Sequence, residues 1–315
     1  NMSLEYSLKM GLNRLLSKTP KNSADEQYLT IGRNILVNGA YKNNRTGVGA
    51  YSLPHQIMQF NLDDEFPILT SKFVGLKTAV KELLWIWQDQ SNDVNLLNQK
   101  YGVTIWDEWK RNDGTIGQAY GYQLGCEYQY FDVDYNKALE LKDQGKIKNI
   151  RITPQGVCLM NQVDKLIYDL TYNPDNRRMV VSLWNVEDLH NMALQPCAFL
   201  TQWNVSKNKL NLLLNIRSND FCLGNPYNMC QYAFLLMLMA HVTGYKPGLF
   251  TIMINDCHVY ENHVQGLIKQ LDQETYYAPE VRIKSGIKSF YDFRIGDLII
   301  EDYNHAGKIS FEVAV

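Results

Sequence analysis

No CxxC pair and no dense cysteine framework occurs in these 315 residues; Cys126, Cys158, Cys197, Cys222, Cys230 and Cys257 are scattered. That excludes a disulfide-stapled scaffold, and the spacing reads as reduced thiols in a cytoplasmic protein. Long apolar runs are lacking too. The strongest, YAFLLMLMA at 232–240, falls far short of the roughly 20 residues of a spanning helix and reads as a buried helix. Neither charge sign is in excess. A formal net charge of −2 gives no global pull towards nucleic acid or anionic membranes, although a local basic pocket stays open. Neither a P-loop nor a GxGxxG pattern is present, which argues against a nucleoside-triphosphate or dinucleotide cradle. There is no internal repeat and no low-complexity tract.

What is present is the composition of an ordinary globular protein, 45% hydrophobic and 20% charged, long enough for one large domain or two modest ones. Leu4, Leu8, Leu12, Leu15 and Leu16 recur at helical spacing and predict a docking helix within an N-terminal extension, residues 1–24. KTPKNSADE (18–26) reads as a polar link to a helix over EQYLTIGRNILVNG that ends at Gly39. HQIMQFNL alternates as a strand and stops at the acidic turn DDEFP. LKTAVKELLWIWQ has helical periodicity, which puts Glu82 on a largely buried helix, where a lone carboxylate needs a partner or a task. KALELKDQGKIKN and QVDKLIYDLTYNP predict helices in the least readable stretch, about 126–174. RRMVVSLWNV, FLTQWNV, KLNLLLNIRSND and LFTIMINDCHVY read as strands. Strands grouped in the middle with helices around them indicate an α+β fold.

Chemistry concentrates in three places. Cys197 follows a proline in ALQPC and precedes an alternating stretch, which suits a small core residue at a strand entrance or a nucleophile on a rigid turn. IRSNDFCLGNPYN (216–228) sets Arg217 and Ser218 at a strand end, a combination that grips anions. Arg177 and Arg178, with Arg45 in NRTG, add arginines beside turns, and four in such settings point to a phosphate. NDCHVYENH (255–263) places His258 and Tyr260 on one face of a strand, as a structural pair or as hydrogen-bonding partners for a sugar hydroxyl. A zinc site is disfavoured, because Cys257 and His258 point to opposite strand faces and no HExxH occurs.

Taken in order, RTGVG (45–49), KELLWIWQ (81–88), VTIWDEW (103–109), AYGYQ (119–123), NRRMVVSLWN (176–185), ALQPC, RSNDFCLGNPYN, DCHVY and the tail FEVAV make the sequence similar to the folate-dependent, cysteine-nucleophile thymidylate synthase family from about Asp25 to Val315. The resemblance implies reductive methylation of dUMP to dTMP, with 5,10-methylenetetrahydrofolate as cosubstrate and no metal. It implies Cys197 as the nucleophile, its thiol pKa lowered by a nearby arginine. Arg45, Arg217 and Ser218, with Arg177 and Arg178 from a second subunit, correspond to the phosphate grip, and His258 and Tyr260 to the ribose contacts. Asn228 corresponds to the reader of the uracil edge, Asp220 to the pterin holder, and Glu82 and Tyr120 to proton management through ordered water. For folate the resemblance implies Lys72, Ile105, Trp106, Trp109, Leu194, Leu223, Gly224, Tyr227, Val313 and Ala314 as well as Asp220. Trp106, Trp109 and the closing tail Val313-Ala314-Val315 match the reductive enzymes rather than their hydroxymethylase relatives, in which water is the final reactant.

The sequence departs from the family pattern at Ala198, where many members carry histidine, at Phe73, where many carry a second basic residue, at Ile216, and at YQLG (122–125). None removes a reacting group. The expected architecture is a thymidylate synthase fold over 25–315: a central mixed, twisted sheet flanked by helices and dimerising through a sheet face, with 126–172 as a variable small subregion. Two rivals are a dUMP hydroxymethylase of the same fold and an RNA-binding regulator, the latter as a secondary role at most given the weak charge.

Overall fold

A computed structural model describes residues 18–43, 45 and 47–314. The leucine-spaced segment from Leu4 to Leu16 and the terminal Val315 therefore lie outside the described residues. The first described helix, Ser23–Asn38, begins where the sequence supplies a cap: Asn22 accepts a hydrogen bond from the Asp25 amide at 2.7 Å. Asp25 is fully buried, and a carboxylate out of water is costly unless donors surround it. The Thr70 amide and hydroxyl, the Ser71 amide and the Asn22 side chain supply them, at 2.6 to 3.0 Å. Helix and loop 70–72 are thereby locked together. The helix stops at Gly39, whose amide donates to Ile35 and where any side chain would strike the Ile35 carbonyl.

Six strands form the central sheet: β1 (Ala40–Lys42), β2 (Ala50–Asn61), β6 (Val180–Ser182), β7 (Ala198–Ser206), β8 (Lys209–Asp220) and β9 (Lys246–Tyr260). Their order is β1-β2-β9-β8-β7-β6, and every neighbouring pair is antiparallel except β8 and β9. A parallel pair requires a crossover. Here it is the helix Gly224–Thr243, buried almost all round through Met229, Phe234, Leu235 and Met239, as an apolar helix without a polar face must be. The parallel register sets Ser218 opposite Asp256, Asn219 opposite Cys257, and Asp220 opposite His258. Two motifs far apart in sequence thus finish side by side.

Alternation along β8 buries Leu210, Leu212, Leu214 and Ile216 against the helices. The opposite face of the sheet is only partly covered: Ile57 is 59% exposed and its cross-strand partner Met253 40%, with Leu249 beside them at 42%. A three-stranded sheet in the order β3 (Glu127–Tyr130), β5 (Cys158–Asn161), β4 (Arg151–Ile152) organises the subregion whose pattern was hardest to read, together with helices Tyr135–Asp143 and Gln162–Tyr172. β10 (Glu280–Ile283) pairs with β11 (Leu298–Glu301) near the C-terminal end. The mixed sheet with helices around it is the expected α+β class. Among the described residues no helix is long and apolar enough to cross a membrane.

Two local expectations need correction. RRMVVSLWNV is a strand only over Val180–Ser182; Asn185 then caps a 3₁₀ turn, Val186–Asn191, by accepting from the Glu187 amide, so local capping overrides β propensity. LKTAVKELLWIWQ is α-helical over Leu76–Leu83 and continues as a π-turn, Leu84–Gln88, in which the Asp89 amide reaches back five residues to Leu84.

Candidate active site

Cys197 stands on a bend immediately before β7, behind the buried Pro196. Arg217 at the end of β8 braces that bend: its Nε donates to the Pro196 carbonyl at 2.9 Å and its Nη2 to the Gln195 carbonyl at 2.8 Å. The Arg217 amide donates to the Cys197 carbonyl, and the Cys197 amide to the Tyr120 hydroxyl at 3.4 Å. The same guanidinium lies 3.8 Å from the Cys197 sulfur. Burial pushes the Cys197 thiol up, and Arg217 and Arg45 pull the other way without reversing it. The arginines favour the thiolate, against the larger penalty that burial imposes on it.

The paired ends of β8 and β9 open into a cleft of about 770 Å³. Asp256 accepts from the Ser52 hydroxyl at 2.8 Å, meets His258 Nδ1 at 3.1 Å, and pairs with Lys42 at 3.3 Å. The His258 hydrogen bond leads these in holding the Asp256 carboxyl well below the usual carboxylate range. An ionised carboxylate only accepts, so His258 Nδ1 carries the hydrogen and Nε2 is left for a ligand.

A chain of three amides lies beside Gly224, which lines the cleft. Asn225 donates to Asn219 Oδ1 at 2.6 Å, and Asn219 donates to Asn228 Oδ1 at 3.1 Å. That order fixes the Asn228 amide: its nitrogen is free to donate, and its oxygen keeps a second lone pair. Asp220 accepts from the Leu223 amide at 3.1 Å, with His263 3.6 Å away. Burial pushes the Asp220 carboxyl up, with His263 opposing.

Behind Cys197 lies a wall of polar groups set among tryptophans. Glu82 accepts from Trp106 Nε1 at 3.0 Å and from Gln231 at 2.9 Å. Burial pushes its carboxyl up against those two bonds. Trp106 meets Tyr120 edge-on at 5.0 Å and Trp109 at 5.5 Å. Tyr120 has φ of 51°, a rare backbone state for a bulky residue, and it aims the hydroxyl at the cysteine bend.

The cleft gathers Arg45, Cys197, Arg217, Ser218, Asp220, His258 and Tyr260 with Trp109, Leu194, Leu223, Gly224, Val313 and Ala314. Glu82, Trp106 and Tyr120 do not line it; they form the wall behind. Asn228 is reached through Asn219, next to Gly224. Ile105 and Tyr227 are exposed and stand outside the lining. Lys72 is buried, its ammonium donates to the Cys222 carbonyl at 3.2 Å and sits 4.7 Å over the Phe311 ring, and burial pulls its pKa down to about 8. In this arrangement it supports the tail and does not face the cleft. Arg177 is exposed, and Arg178 lines a separate cavity of about 390 Å³ with Tyr130, Asp132 and Lys165. Neither reaches this chain's own cleft.

Five polar residues at or around the site escaped the sequence reading as contributors: Ser52, Asn219, Gln231, Asp256 and His263. Asn219, Asp256 and His263 lie within the two dense clusters, but only the parallel pairing of β8 with β9 shows what they face. Gln231 had no signal beyond a polar residue in an apolar helix.

The family model of thymidylate synthase matches residues 26–315. A thymidylate synthase of Clostridium beijerinckii is 48% identical over 293 residues, covering 92% of this chain and 98% of that protein. The thymidylate synthase of Bacillus phage phi3T is 43% identical over 300 residues, with 92% and 99% covered. Among solved structures, thermostable thymidylate synthase A from Bacillus subtilis superposes with a TM-score of 0.80 at 43% identity, covering 92% of this chain and 99% of that one. Similarity that spans nearly the whole of each relative leaves no room for a merely shared module: the chain belongs to the thymidylate synthase family.

Proposed function

We propose that this protein converts dUMP to dTMP by reductive methylation, with 5,10-methylenetetrahydrofolate as cosubstrate and dihydrofolate as second product. The observation that carries the proposal is that Cys197 lines the cleft together with the ends of β8 and β9, its sulfur 3.8 Å from the Arg217 guanidinium. The Cys197 thiolate adds to C6 of the uracil ring, and the electron pair passes to C5, which becomes the attacking carbon. Arg45, Arg217 and Ser218 hold the phosphate, while His258 Nε2 and the Tyr260 hydroxyl take the ribose. Asn228 reads uracil by donating to O4 and accepting from N3–H; the cytosine edge reverses that pattern.

The apolar lining of Trp109, Leu194, Leu223 and the tail suits a flat pterin, with Asp220 as the acceptor for its N–H groups. When bound, the folate supplies the one-carbon unit and the hydride. Glu82 and Tyr120 hold and move protons at the base, and Trp106, Trp109, Val313 and Ala314 keep water from C5, which favours reduction over hydration.

The uncovered sheet face bearing Ile57, Leu249 and Met253 is proposed to seat a second copy of the chain, so that Arg177 and Arg178 complete the partner's phosphate site. Their distance from this chain's own cleft supports that reading. Residues 25–315 then make up the catalytic domain. The six unpaired cysteines fit a cytoplasmic location.

Incubation with dUMP and methylenetetrahydrofolate, followed by product identification, tests the activity. Equal amounts of dTMP and dihydrofolate are expected; hydroxymethyl-dUMP with tetrahydrofolate, or no product, overturns it. For the shared site, Cys197→Ser is mixed with Arg178→Glu under conditions of subunit exchange. A mixed dimer carries both defects in one site and neither in the other, so about a quarter of wild-type activity should return. Verified exchange with no recovery places Arg178 outside the partner's site.

A further inference from the structure

His263 is fully buried, and neither the sequence reading nor the proposed chemistry gives it work. Its Nε2 lies 2.5 Å from the Glu312 carbonyl oxygen. A carbonyl oxygen only accepts, so Nε2 carries the hydrogen. In a neutral ring Nδ1 is then bare. That nitrogen has no hydrogen-bond partner and faces Asp220 Oδ1 at 3.6 Å. Two bare acceptors aimed at each other away from water repel, so a proton belongs between them, and the gap is one small shift longer than a hydrogen bond. The surroundings restrict the ring: Tyr260 stands edge-on at 5.4 Å and Phe311 at 5.2 Å. Phe311 in turn lies over Gly266, where an added methyl would meet the ring at 2.5 Å, and under the Lys72 ammonium at 4.7 Å.

We infer that His263 is a positioning residue that couples Asp220 to the C-terminal segment, so that a ligand held by Asp220 and the docking of Phe311 and Glu312 reinforce each other. A ligand that donates N–H groups to Asp220 favours the ionised carboxylate. The proton then resides on the ring, and the bond from Nε2–H to the Glu312 carbonyl becomes charge-assisted and stronger. The effect is reciprocal: a docked tail holds the ring against Asp220 and raises affinity for the same ligand. The inference rests on the proposed function only in taking Asp220 as a folate contact.

The test uses the dUMP-bound protein, dihydrofolate as probe, and carboxypeptidase release of the C-terminal residues as readout. His263→Gln keeps a donor that reaches the Glu312 carbonyl, whereas the shorter His263→Asn keeps one only on the Asp220 side. Dihydrofolate is expected to slow release about tenfold in the wild type and less than about twofold in both His263→Asn and His263→Gln, because each keeps a donor on one side only and neither side chain can take up the proton. Gly266→Ala breaks the link from the tail side, without touching either ring nitrogen, and should weaken dihydrofolate binding about tenfold with dUMP affinity held within about twofold. Full protection in His263→Asn or in His263→Gln, or unchanged dihydrofolate affinity in Gly266→Ala, overturns the coupling. Calorimetry separates the two readings: wild-type protein that fails to bind dihydrofolate at all overturns the folate site itself, whereas binding without tail protection overturns only the coupling.

Discussion

On one side of the cleft, Ser218, Asp220, Asp256 and His258 stand on two paired strands; on the other, Val313 and Ala314 belong to a segment without helix or strand. The strand side is fixed by backbone register and then cross-braced, Ser52 and His258 to Asp256, and Asn219 to Asn228. The tail side is rooted where Ala306 and Gly307 bond Thr70 and Phe73. Beyond that root, among the described residues, the contacts are few: the Lys308 ammonium over Phe73, the Phe311 seat, the His263 bond, and a 3.3 Å bond from Asn262 to the Glu312 side chain. Elements held by few contacts open at low free-energy cost. On the proposed reading the nucleotide grip is built in beforehand, and closure of the tail is a separate, reversible event.

The sharpest break is Cys197→Ser. Turnover should fall by at least about a thousandfold, because a serine alcohol is a poor nucleophile at neutral pH. Calorimetry should still find dUMP bound with little change, since the strand-side grip is untouched. Near-normal turnover sinks the assignment. Phe311→Ala probes the other side: kcat is expected to drop about 10- to 100-fold with dUMP affinity nearly unchanged. Equal loss of dUMP binding would mean that the tail supports the fold and not closure.

Glu82 belongs to the wall behind both sides. Burial raises its pKa, so it keeps its proton to higher pH than an ordinary carboxylate. Activity that needs the ionised form is lost as pH falls through that raised value, and the acid limb of kcat should lie above the usual carboxylate range. Glu82→Gln should lower kcat about tenfold or more and flatten that limb; a limb unchanged in the variant assigns the titration elsewhere. The smallest effect is one of preference. Asn228→Asp should weaken dUMP turnover and raise the relative use of dCMP several-fold, about 1 kcal/mol of discrimination. An unchanged ratio, measured on both nucleotides, means that another group reads the base.

Much of the strand side was legible because alternation is a local signal. The pattern of 209–220 and of 249–260 gives two strands, and the spacing of His258 and Tyr260 puts both on one face. What alternation cannot reveal is that these strands are parallel neighbours, so Asp220 beside His258 was invisible. Nothing local marks His263 either, because its partners arrive from the tail and from β8. Lys72 entered only through family resemblance; its burial against the Cys222 carbonyl and the Phe311 ring carries no local signal in the sequence. Arg177 and Arg178 took their role from family resemblance, and a single chain offers no geometry against which to derive it.

The π-turn at Leu84–Gln88 carries a different kind of consequence. It takes up one residue more than an α-turn, and Trp85 and Trp87 lie within it, directly after the helix that carries Glu82. Deleting Leu84 would move both tryptophans back by one position and turn each by about 100° relative to Glu82. Glu82 would then swing away from Trp106 and Gln231, or Trp85 and Trp87 would leave their packing. Side-chain exchange at these positions changes the wall piecemeal, but that deletion displaces both rings at once. Length, more than composition, is what this short stretch must preserve.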